Sequence, residues 1–352
     1  ENKMKSFRMN PENKLEFGVY TLGDHLPDPR TNKRISAQKR LRQIIEMAQL
    51  AEEVGLDFFS VGESHQEYFT TQAHTVVLGA IAQATEKIKI GSSSTIISTL
   101  DPVRVYEDFS TIDLISNGRA EIIAGRASRL GVFDLLGYDI QDYEALFEEK
   151  FALLLELNEK EIVTWNGNYR KSLDNAMILP QPKEEKLPIW RAVGGGPQSA
   201  VKAGINGVPM FIATLGGAAE SFQYSIGAYR ESLSRMGHDP QKYPVSTAGF
   251  FYTAETTQQA FSEVYPHVNE GMKRTNGQGF PKQHFAQGMD SRNVMNIGSP
   301  EQIVEKILYQ HELFNHQRYI AQLDFGGIPH DRIMKNIEVL GTKIMPEVRK
   351  HL

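Results

Sequence analysis

Short apolar runs alternate along the chain with longer stretches of helical periodicity. Between Ala37 and Val54, apolar side chains recur every three or four residues and Gly55 stands at the stop position, which is typical of an amphipathic helix. Asp101 and Pro102 are the residue types that begin a helix, as N-cap and first helical residue. Eight apolar runs are predicted strands: Leu15–Tyr20, Leu56–Val61, Ile88–Ile97, Arg119–Ala124, Pro188–Val193, Val208–Ala213, Val245–Thr253 and Tyr319–Phe325.

The order of these elements predicts a parallel sheet, because a parallel connection needs a crossover that is usually a helix. Eight strand–helix units favour a closed (β/α)8 TIM barrel over an open doubly wound sheet. We expect an N-terminal extension over residues 1–14 and a single barrel domain over residues 15–352. The further predicted helices are Thr75–Thr85, Pro102–Ser116, Tyr143–Asn158, Ala218–Met236, Gln258–Met272, Ile303–Leu313 and Arg332–Val348.

Two segments exceed the minimal strand–helix unit. Ile162–Leu187 contains several turn residues and is predicted to be a hairpin insertion before the fifth strand. Lys273–Asn296 is polar and rich in glycine, and we expect a mobile loop there, between the seventh and eighth strands. Long loops in compact domains are usually functional lids or disordered segments.

The helices predicted after the second and third strands carry apolar residues on more than one face. An outer barrel helix needs only one buried face, so the surplus predicts a homodimer interface. The alternative is that loops cover the second face. The residues concerned are Val76, Val77, Leu78, Ile81, Val103, Val105, Phe109, Ile112 and Ile115.

Composition narrows the possible partners and chemistry. The net charge of -5 gives no reason to expect nucleic acid or an anionic membrane as a partner. No apolar run approaches the roughly 20 residues of a membrane span. The absence of cysteine excludes disulfides, thiolate metal sites and a cysteine nucleophile, and it agrees with the cytoplasmic location that we expect.

Candidate site residues follow from the rule that barrel active sites lie at the carboxyl ends of the strands. After the fifth strand, the glycines Gly194, Gly195 and Gly196 precede a helix that begins at a proline and contains Ser199 in its first turn. Free amides at a helix N-terminus bind phosphate, although a tight turn would also need small residues. Arg126, after the fourth strand, has the fork geometry for phosphate, or it forms a salt bridge to an acidic loop.

Two further groups have alternative interpretations. Glu63 and His65, after the second strand, are either a general acid–base pair or a structural hydrogen-bonded pair. Ser93 and Ser94, in the third strand, mark either a close approach of a ligand or solvent-facing alternation. No spacing of possible ligands predicts a metal site, and no nucleophile elbow, Walker A loop or dinucleotide fingerprint occurs in the required context.

At these residues the chain resembles the bacterial luciferase-like flavin monooxygenases. The most specific stretch runs from Gly91 to Arg126 and carries Gly-Ser-Ser-Ser, Asp-Pro-Val-Arg, Glu-Asp, Ser-Asn-Gly-Arg and a final Gly-Arg at the family's spacing. The resemblance extends from Leu15 to about Val348. It implies a TIM barrel that binds FMN.

The resemblance also implies residue roles. Arg126 stands where the family arginine binds the FMN phosphate, and the helix start that includes Ser199 completes that site. Ser93 and Ser94 stand where the family has a cis peptide beside the flavin ring. Glu63, Ser64 and His65 stand where luciferase has Glu-His-His, so the family's catalytic histidine is replaced here by Ser64.

The activity implied by the resemblance is a two-component monooxygenase reaction. A separate NAD(P)H-dependent flavin reductase supplies reduced FMN, which reacts with oxygen and an organic substrate that the sequence does not name. One alternative is a deazaflavin-dependent dehydrogenase or reductase on the same fold. Another is a non-catalytic flavin-binding protein, which the replacement at Ser64 leaves open.

Overall fold

Eight parallel strands close into a barrel in the computed structural model, which describes residues 3–184, 186–194 and 196–352. Each strand pairs with the next along the chain, and the last pairs with the first in the register Glu16 to Arg318. The predicted (β/α)8 TIM barrel is therefore confirmed. The barrel strands are β1 (Glu16–Thr21), β2 (Phe58–Val61), β3 (Lys89–Ser92), β4 (Ala120–Gly125), β5 (Ile189–Val193), β6 (Met210–Ala213), β7 (Val245–Thr253) and β8 (Arg318–Gln322).

Nine helices of ten or more residues are found in the part of the chain that the structure describes. The predicted caps form: the Asp101 side chain accepts from the amide of Val103, and the Ser299 hydroxyl accepts from the amide of Gln302. The helices are α1 (Ala37–Glu53), α2 (His74–Ala84), α3 (Pro102–Ile115), α4 (Tyr143–Glu159), α5 (Pro197–Asn206), α6 (Gln223–Arg235), α7 (Thr257–Asn276), α8 (Pro300–Phe314) and α9 (His330–Val339).

Shorter elements decorate this framework. A two-residue strand pairs with β4, a three-residue strand pairs with β7, and an antiparallel hairpin forms from Ile162–Trp165 and Leu173–Met177. The hairpin predicted before β5 is thus present. The remaining elements are the strands Thr95–Ile96 and Asn296–Gly298, the helices Lys3–Ser6, Gly131–Leu136, Lys282–Ala286 and Met345–Lys350, the π-helical turn Leu340–Ile344, and the 3₁₀ turns Pro11–Asn13, Ile97–Thr99, Ile140–Asp142, Ala219–Phe222, Pro240–Lys242 and Gln287–Met289.

The segment between β7 and β8 differs from the predicted loop. Helix α7 continues to Asn276, and Lys282–Ala286 forms a further short helix. Phe285 is buried against Phe261, with ring centroids 5.2 Å apart, and the Lys306 ammonium donates to the carbonyl of Met295 at 2.6 Å. These buried contacts order a glycine-rich stretch whose composition alone suggested a loop.

Two other predictions were wrong in detail. The predicted third strand is interrupted at Ser93 and Ser94, so β3 ends at Ser92. The predicted last helix is divided by a π-helical turn, where the Gly341 backbone packs so closely on Val54 that an added Cβ would lie 2.4 Å from Val54 Cγ2. This close contact depends on a helix that is distant in sequence, so local periodicity could not indicate it.

The amino-terminal segment packs across the bottom of the barrel, at the first residues of the strands. Arg8 donates to Asp113 Oδ1 at 2.7 Å and to the carbonyl of Ala120 at 2.9 Å. Lys89 donates to the carbonyl of Arg8 at 2.9 Å. These contacts involve the first residues of β3 and β4, so the segment covers the end of the barrel opposite the predicted site.

The apolar surplus on α2 and α3 is partly used inside this chain. Leu78, Ile81, Val105, Phe109 and Ile112 are buried in the core. Three other apolar side chains remain on the surface of the same helices, and their exposed fractions are 72% for Val76, 45% for Leu114 and 50% for Ile115.

Candidate active site

The carboxyl ends of the barrel strands form one rim, here called the mouth. Glu63 and Ser64 follow β2 directly, and both are buried although they lie outside regular structure. The amide of Glu63 donates to the carbonyl of Ser94 at 3.1 Å, which joins the ends of β2 and β3. The barrel closure therefore brings together two candidate groups that are about thirty residues apart in sequence.

The Glu63 carboxylate is held from three sides. Its Oε1 accepts from the amide of Ile96 at 2.8 Å, and its Oε2 lies 2.5 Å from His65 Nε2. His74 Nδ1 is 4.0 Å from Oε1, and the Nε2 of His74 lies 2.9 Å from Thr95 Oγ1. Burial lowers the pKa of His74, and the charge of Glu63 only partly opposes this. His74 and Thr95 were missed by sequence reasoning because nothing in their local pattern distinguishes them from core residues.

The peptide between Ser93 and Ser94 is cis. The Ser60 hydroxyl donates to the Ser93 hydroxyl at 2.8 Å, so this bend is tied to the interior of β2. A Cβ added at Gly125 would lie 2.5 Å from Ser94 Oγ. Glycine at the end of β4 therefore leaves room for the serine bend at the end of β3.

Arg126 follows Gly125 and contacts two helices, through an ion pair with α4 and a hydrogen bond to α5. Its Nη1 donates to Glu144 Oε1 on α4 at 2.5 Å, and its Nη2 donates to Ser199 Oγ on α5 at 3.4 Å. Lys202, one turn further along α5, has its ammonium 3.6 Å from Glu144 Oε2. Two cations thus contact one carboxylate, and neither Glu144 nor Lys202 was predicted.

The glycine-rich turn before α5 leaves space beside the backbone. A Cβ added at Gly194 or Gly196 would meet nothing within 4 Å, so neighbouring atoms do not demand glycine at these positions. Gly196 is the N-cap of α5 and supplies no side-chain hydrogen bond to the helix start, while Ser199 is buried in the first turn. Gly195 was also a candidate and lies outside the described residues.

A pair of acidic residues at the ends of β1 and β8 was not predicted. Asp324 Oδ2 accepts from Thr21 Oγ1 at 2.5 Å and from the Arg40 guanidinium, whereas its buried Oδ1 has no hydrogen-bond partner among the described residues. Asp24 Oδ2 accepts from the amide of Gly326 at 2.9 Å. Burial and the nearby charge of Asp324 raise the pKa of Asp24 to about 6. The closed barrel makes neighbours of these two residues, which stand at opposite ends of the sequence.

Within residues 3–184, 186–194 and 196–352, no group of three or more histidine, aspartate or glutamate side chains is arranged to hold a metal ion. None of the helices that the structure describes combines the length and hydropathy needed to cross a membrane.

Comparison with known proteins gives a family match that covers most of the chain. The model of the luciferase-like monooxygenase family matches residues 15–317. The oxygenase component of a flavin-dependent trigonelline monooxygenase from Acinetobacter baylyi is 20% identical over 360 residues, which cover 94% of this chain and 95% of that protein.

Other similar proteins use different cofactors. The oxygenating constituent of 3,6-diketocamphane monooxygenase from Pseudomonas putida, solved in complex with FMN, has a TM-score of 0.76 at 16% identity and covers 95% of this chain and 98% of its own. An F420-dependent glucose-6-phosphate dehydrogenase from Amycolatopsis mediterranei is 30% identical over 189 residues, 51% of this chain and 56% of that protein.

Proposed function

Since the chain belongs to the luciferase-like monooxygenase family, we propose that it is the oxygenase component of a two-component system that uses reduced FMN and molecular oxygen. FMN is chosen because Arg126 contacts Ser199 beside the N-terminus of α5. A separate NAD(P)H-dependent flavin reductase supplies the reduced cofactor, and the substrate is a small organic molecule.

The residues present fit the phosphate of FMN. Arg126 offers a permanent cation with several donors, and Lys202 adds a second positive charge 3.6 Å from the same carboxylate. The start of α5 has no side-chain cap, and space is open beside Gly194 and Gly196, so backbone amides there are accessible to an anion. Glu144 pairs with both cations, so its carboxylate would compete with a phosphate for them.

The other candidates have roles in orienting groups and handling protons. Ser93 and Ser94 lie beside the proposed ring site, where the bend after β3 brings backbone atoms to the mouth. Glu63 orients the imidazole of His65 through the bond to Nε2, and His65 rather than Ser64 is the proposed base. Ser64 lines the same buried turn. When bound, FMN supplies the oxygen chemistry, and the protein binds, orients and excludes water.

Flavin titrations test the choice of cofactor. FMN, riboflavin and a deazaflavin of the F420 type are each titrated into the protein and followed by absorbance. We expect the tightest binding for FMN, because the anchor is built for a terminal phosphate. Preferred binding of the deazaflavin would instead support a dehydrogenase or reductase, the class of the 30% identical relative.

Oxygen consumption tests the activity. Reduced FMN is mixed with protein and oxygen, and a panel of organic compounds is screened for incorporation of labelled oxygen. Incorporation into a compound identifies a monooxygenase, whereas flavin oxidation without any product would favour a flavin-binding protein. In His65→Ala we expect a large loss of turnover with only a modest change in FMN affinity. Unchanged turnover would remove His65 from the mechanism.

The exposed apolar residues on α2 and α3 support a homodimer. Val76, Leu114 and Ile115 are exposed on these two helices. Burying them against a second copy of the chain would remove apolar surface from water. Sedimentation at micromolar concentration tests this proposal. A wild-type monomer, or a Val76→Glu/Ile115→Glu variant that remains a dimer, would contradict this interface.

A further inference from the structure

Arg129 lies at the mouth without any hydrogen bond or ion pair to the residues that the structure describes. Its guanidinium is stacked on Phe69, with Cζ 4.6 Å from the ring centroid. Burial lowers the pKa of Arg129, and only the charge of Asp24 opposes this. A partly buried guanidinium with unused donors is costly for a folded chain, so these donors indicate that something else binds them.

The Arg129 side chain lies at the rim among loops that follow three different strands. Arg129 belongs to the loop after β4, Phe69 to the loop after β2, and Asp24 to the loop after β1. The guanidinium therefore joins the loops after β4 and β2, two strands that are separated in the barrel only by β3. A molecule entering the mouth would meet the unused N–H donors of Arg129, whose guanidinium lies over the Phe69 ring.

Asp24 does not neutralise Arg129. The two side chains form no ion pair within 4.0 Å, and Asp24 Oδ2 is occupied by the amide of Gly326. Burial and the neighbouring charge of Asp324 raise the pKa of Asp24 to about 6, which weakens it as a permanent anion. Arg40 acts in the opposite direction on Asp24, but its guanidinium is bonded to Asp324.

Two other arginines at the same rim already have partners. Arg274 is stacked on Tyr68 at 4.4 Å and pairs with Glu270 at 3.2 Å. Arg34 lies 5.2 Å from the same ring and donates to the carbonyl of His25 at 2.8 Å. Among these three arginines, Arg129 is therefore the one whose guanidinium has no hydrogen bond or ion pair to a described residue.

From these contacts we infer that the substrate is an organic anion, a carboxylate or a sulfonate, and that Arg129 binds its charged group in a bidentate manner. This inference deepens the proposed function, because it names the substrate class of the same site. A guanidinium is suited to planar, bidentate recognition of an oxyanion, and the contact with Phe69 holds this one at the rim. The apolar part of the substrate would then contact Phe69.

The experiment compares matched anionic and neutral probes. Binding of hexanoate and hexanamide, and of benzoate and benzamide, is measured by ligand-observed NMR on FMN-loaded protein and on protein without flavin. We expect both carboxylates to bind wild type more tightly than their amides. Arg129→Met should weaken the carboxylates about ten- to a hundredfold and leave the amides unchanged. Arg129→Lys keeps the charge but loses the forked geometry, so its affinity for the carboxylates should lie between those of wild type and Arg129→Met.

Arg274→Met is the matched control, because it removes a stacked arginine that is already paired. It should change carboxylate binding by less than about threefold. Carboxylates that bind wild type no better than amides, or an equal loss in both variants, would overturn the inference. If Arg129→Met weakens FMN instead, Arg129 belongs to the phosphate anchor and the inference is also wrong. If wild type does not bind FMN at all, the proposed function is wrong. The probes on flavin-free protein would still test the role of Arg129.

Discussion

The two ends of the barrel carry buried charges that are paired to very different degrees. At the bottom, the Arg318 guanidinium contacts Glu16 Oε1 at 2.9 Å and Glu121 Oε1 at 3.0 Å, and Lys89 contacts Glu16 at 2.6 Å. The guanidinium also lies 4.1 Å from the Phe58 ring centroid. At the mouth, Arg129 has no hydrogen bond or ion pair to a described residue.

The pKa shifts follow the same division. Burial alone would raise the pKa of Glu16, but the charges of Lys89 and Arg318 lower it overall, so the bottom network favours the ionised carboxylate. At the mouth, burial and Asp324 raise the pKa of Asp24, and the smaller effects of Gly326, Arg40 and Arg129 do not compensate. The Arg318 network at the bottom is satisfied by its own residues, whereas Arg129 at the mouth keeps unused donors, in keeping with the division of stability and function in this fold.

Arg318→Met should have the largest effect on stability. The substitution leaves Glu16 and Glu121 without their shared cation in the barrel interior. The free energy of unfolding should therefore fall by roughly 3–5 kcal/mol. Denaturant unfolding at neutral pH measures this loss. Arg129→Met is the comparison at the other end and should change stability by less than about 1 kcal/mol, because it breaks no ion pair. Equal losses at the two ends would refute the contrast.

Arg126→Ala should have the next largest effect, on cofactor binding rather than stability. Removing a charge-assisted contact to the phosphate should cost roughly 1.5–3 kcal/mol, or about one to two orders of magnitude in FMN affinity. Riboflavin lacks the phosphate, so its affinity should hardly change. Fluorescence titration of both ligands measures the difference. If both weaken equally, or neither does, Arg126 serves only as the ion-pair partner of Glu144.

Asp24→Asn should alter the dependence of stability on pH. The pKa of about 6 in the folded protein lies above the ordinary 3.8, so folding favours the protonated acid. This contribution is complete below about pH 4 and is lost as pH rises through about 6. Between about pH 4 and pH 7, the free energy of unfolding of wild type should therefore fall by on the order of 1–2 kcal/mol relative to the variant, allowing for solvent screening. A difference that is constant across this range, or that grows in the opposite direction, would contradict the shift.

Glu144→Gln should have the smallest effect and the opposite sign. The carboxylate of Glu144 competes with a phosphate for Arg126 and Lys202, and it is half exposed. Its removal should tighten FMN binding about two- to fivefold. Glu156→Gln is the control, because Glu156 lies on the same helix and pairs only with Lys160 among the described residues. This variant should leave the FMN affinity unchanged. Weaker FMN binding in Glu144→Gln would mean that the carboxylate holds Arg126 in its binding position.

The sequence predicted the barrel and the neighbourhood of the mouth. Hydrophobic periodicity predicted the eight barrel strands, and the rule for strand ends selected Glu63, His65, Arg126 and Ser199. The structure brings the first pair together at 2.5 Å and the second pair at 3.4 Å. The order of residues along a strand is local information, and so is the end of the strand at which each residue lies.

Tertiary structure alone decided how the charges are partnered. Arg126 shares Glu144 with Lys202, the ends of β1 and β8 bring Asp24 and Asp324 close, and Arg129 contacts Phe69 of the loop after β2. Arg126 and Glu144 belong to one strand–helix unit, but Lys202, Asp324 and Phe69 each come from a different unit from the residue that they approach, so local sequence does not reveal these contacts. Closure of the barrel converts distant positions into neighbours, and burial then sets the strength of each charge. The sequence could therefore predict which residues lie at the mouth, but only the packed barrel decides which of its cations lack a partner within the protein.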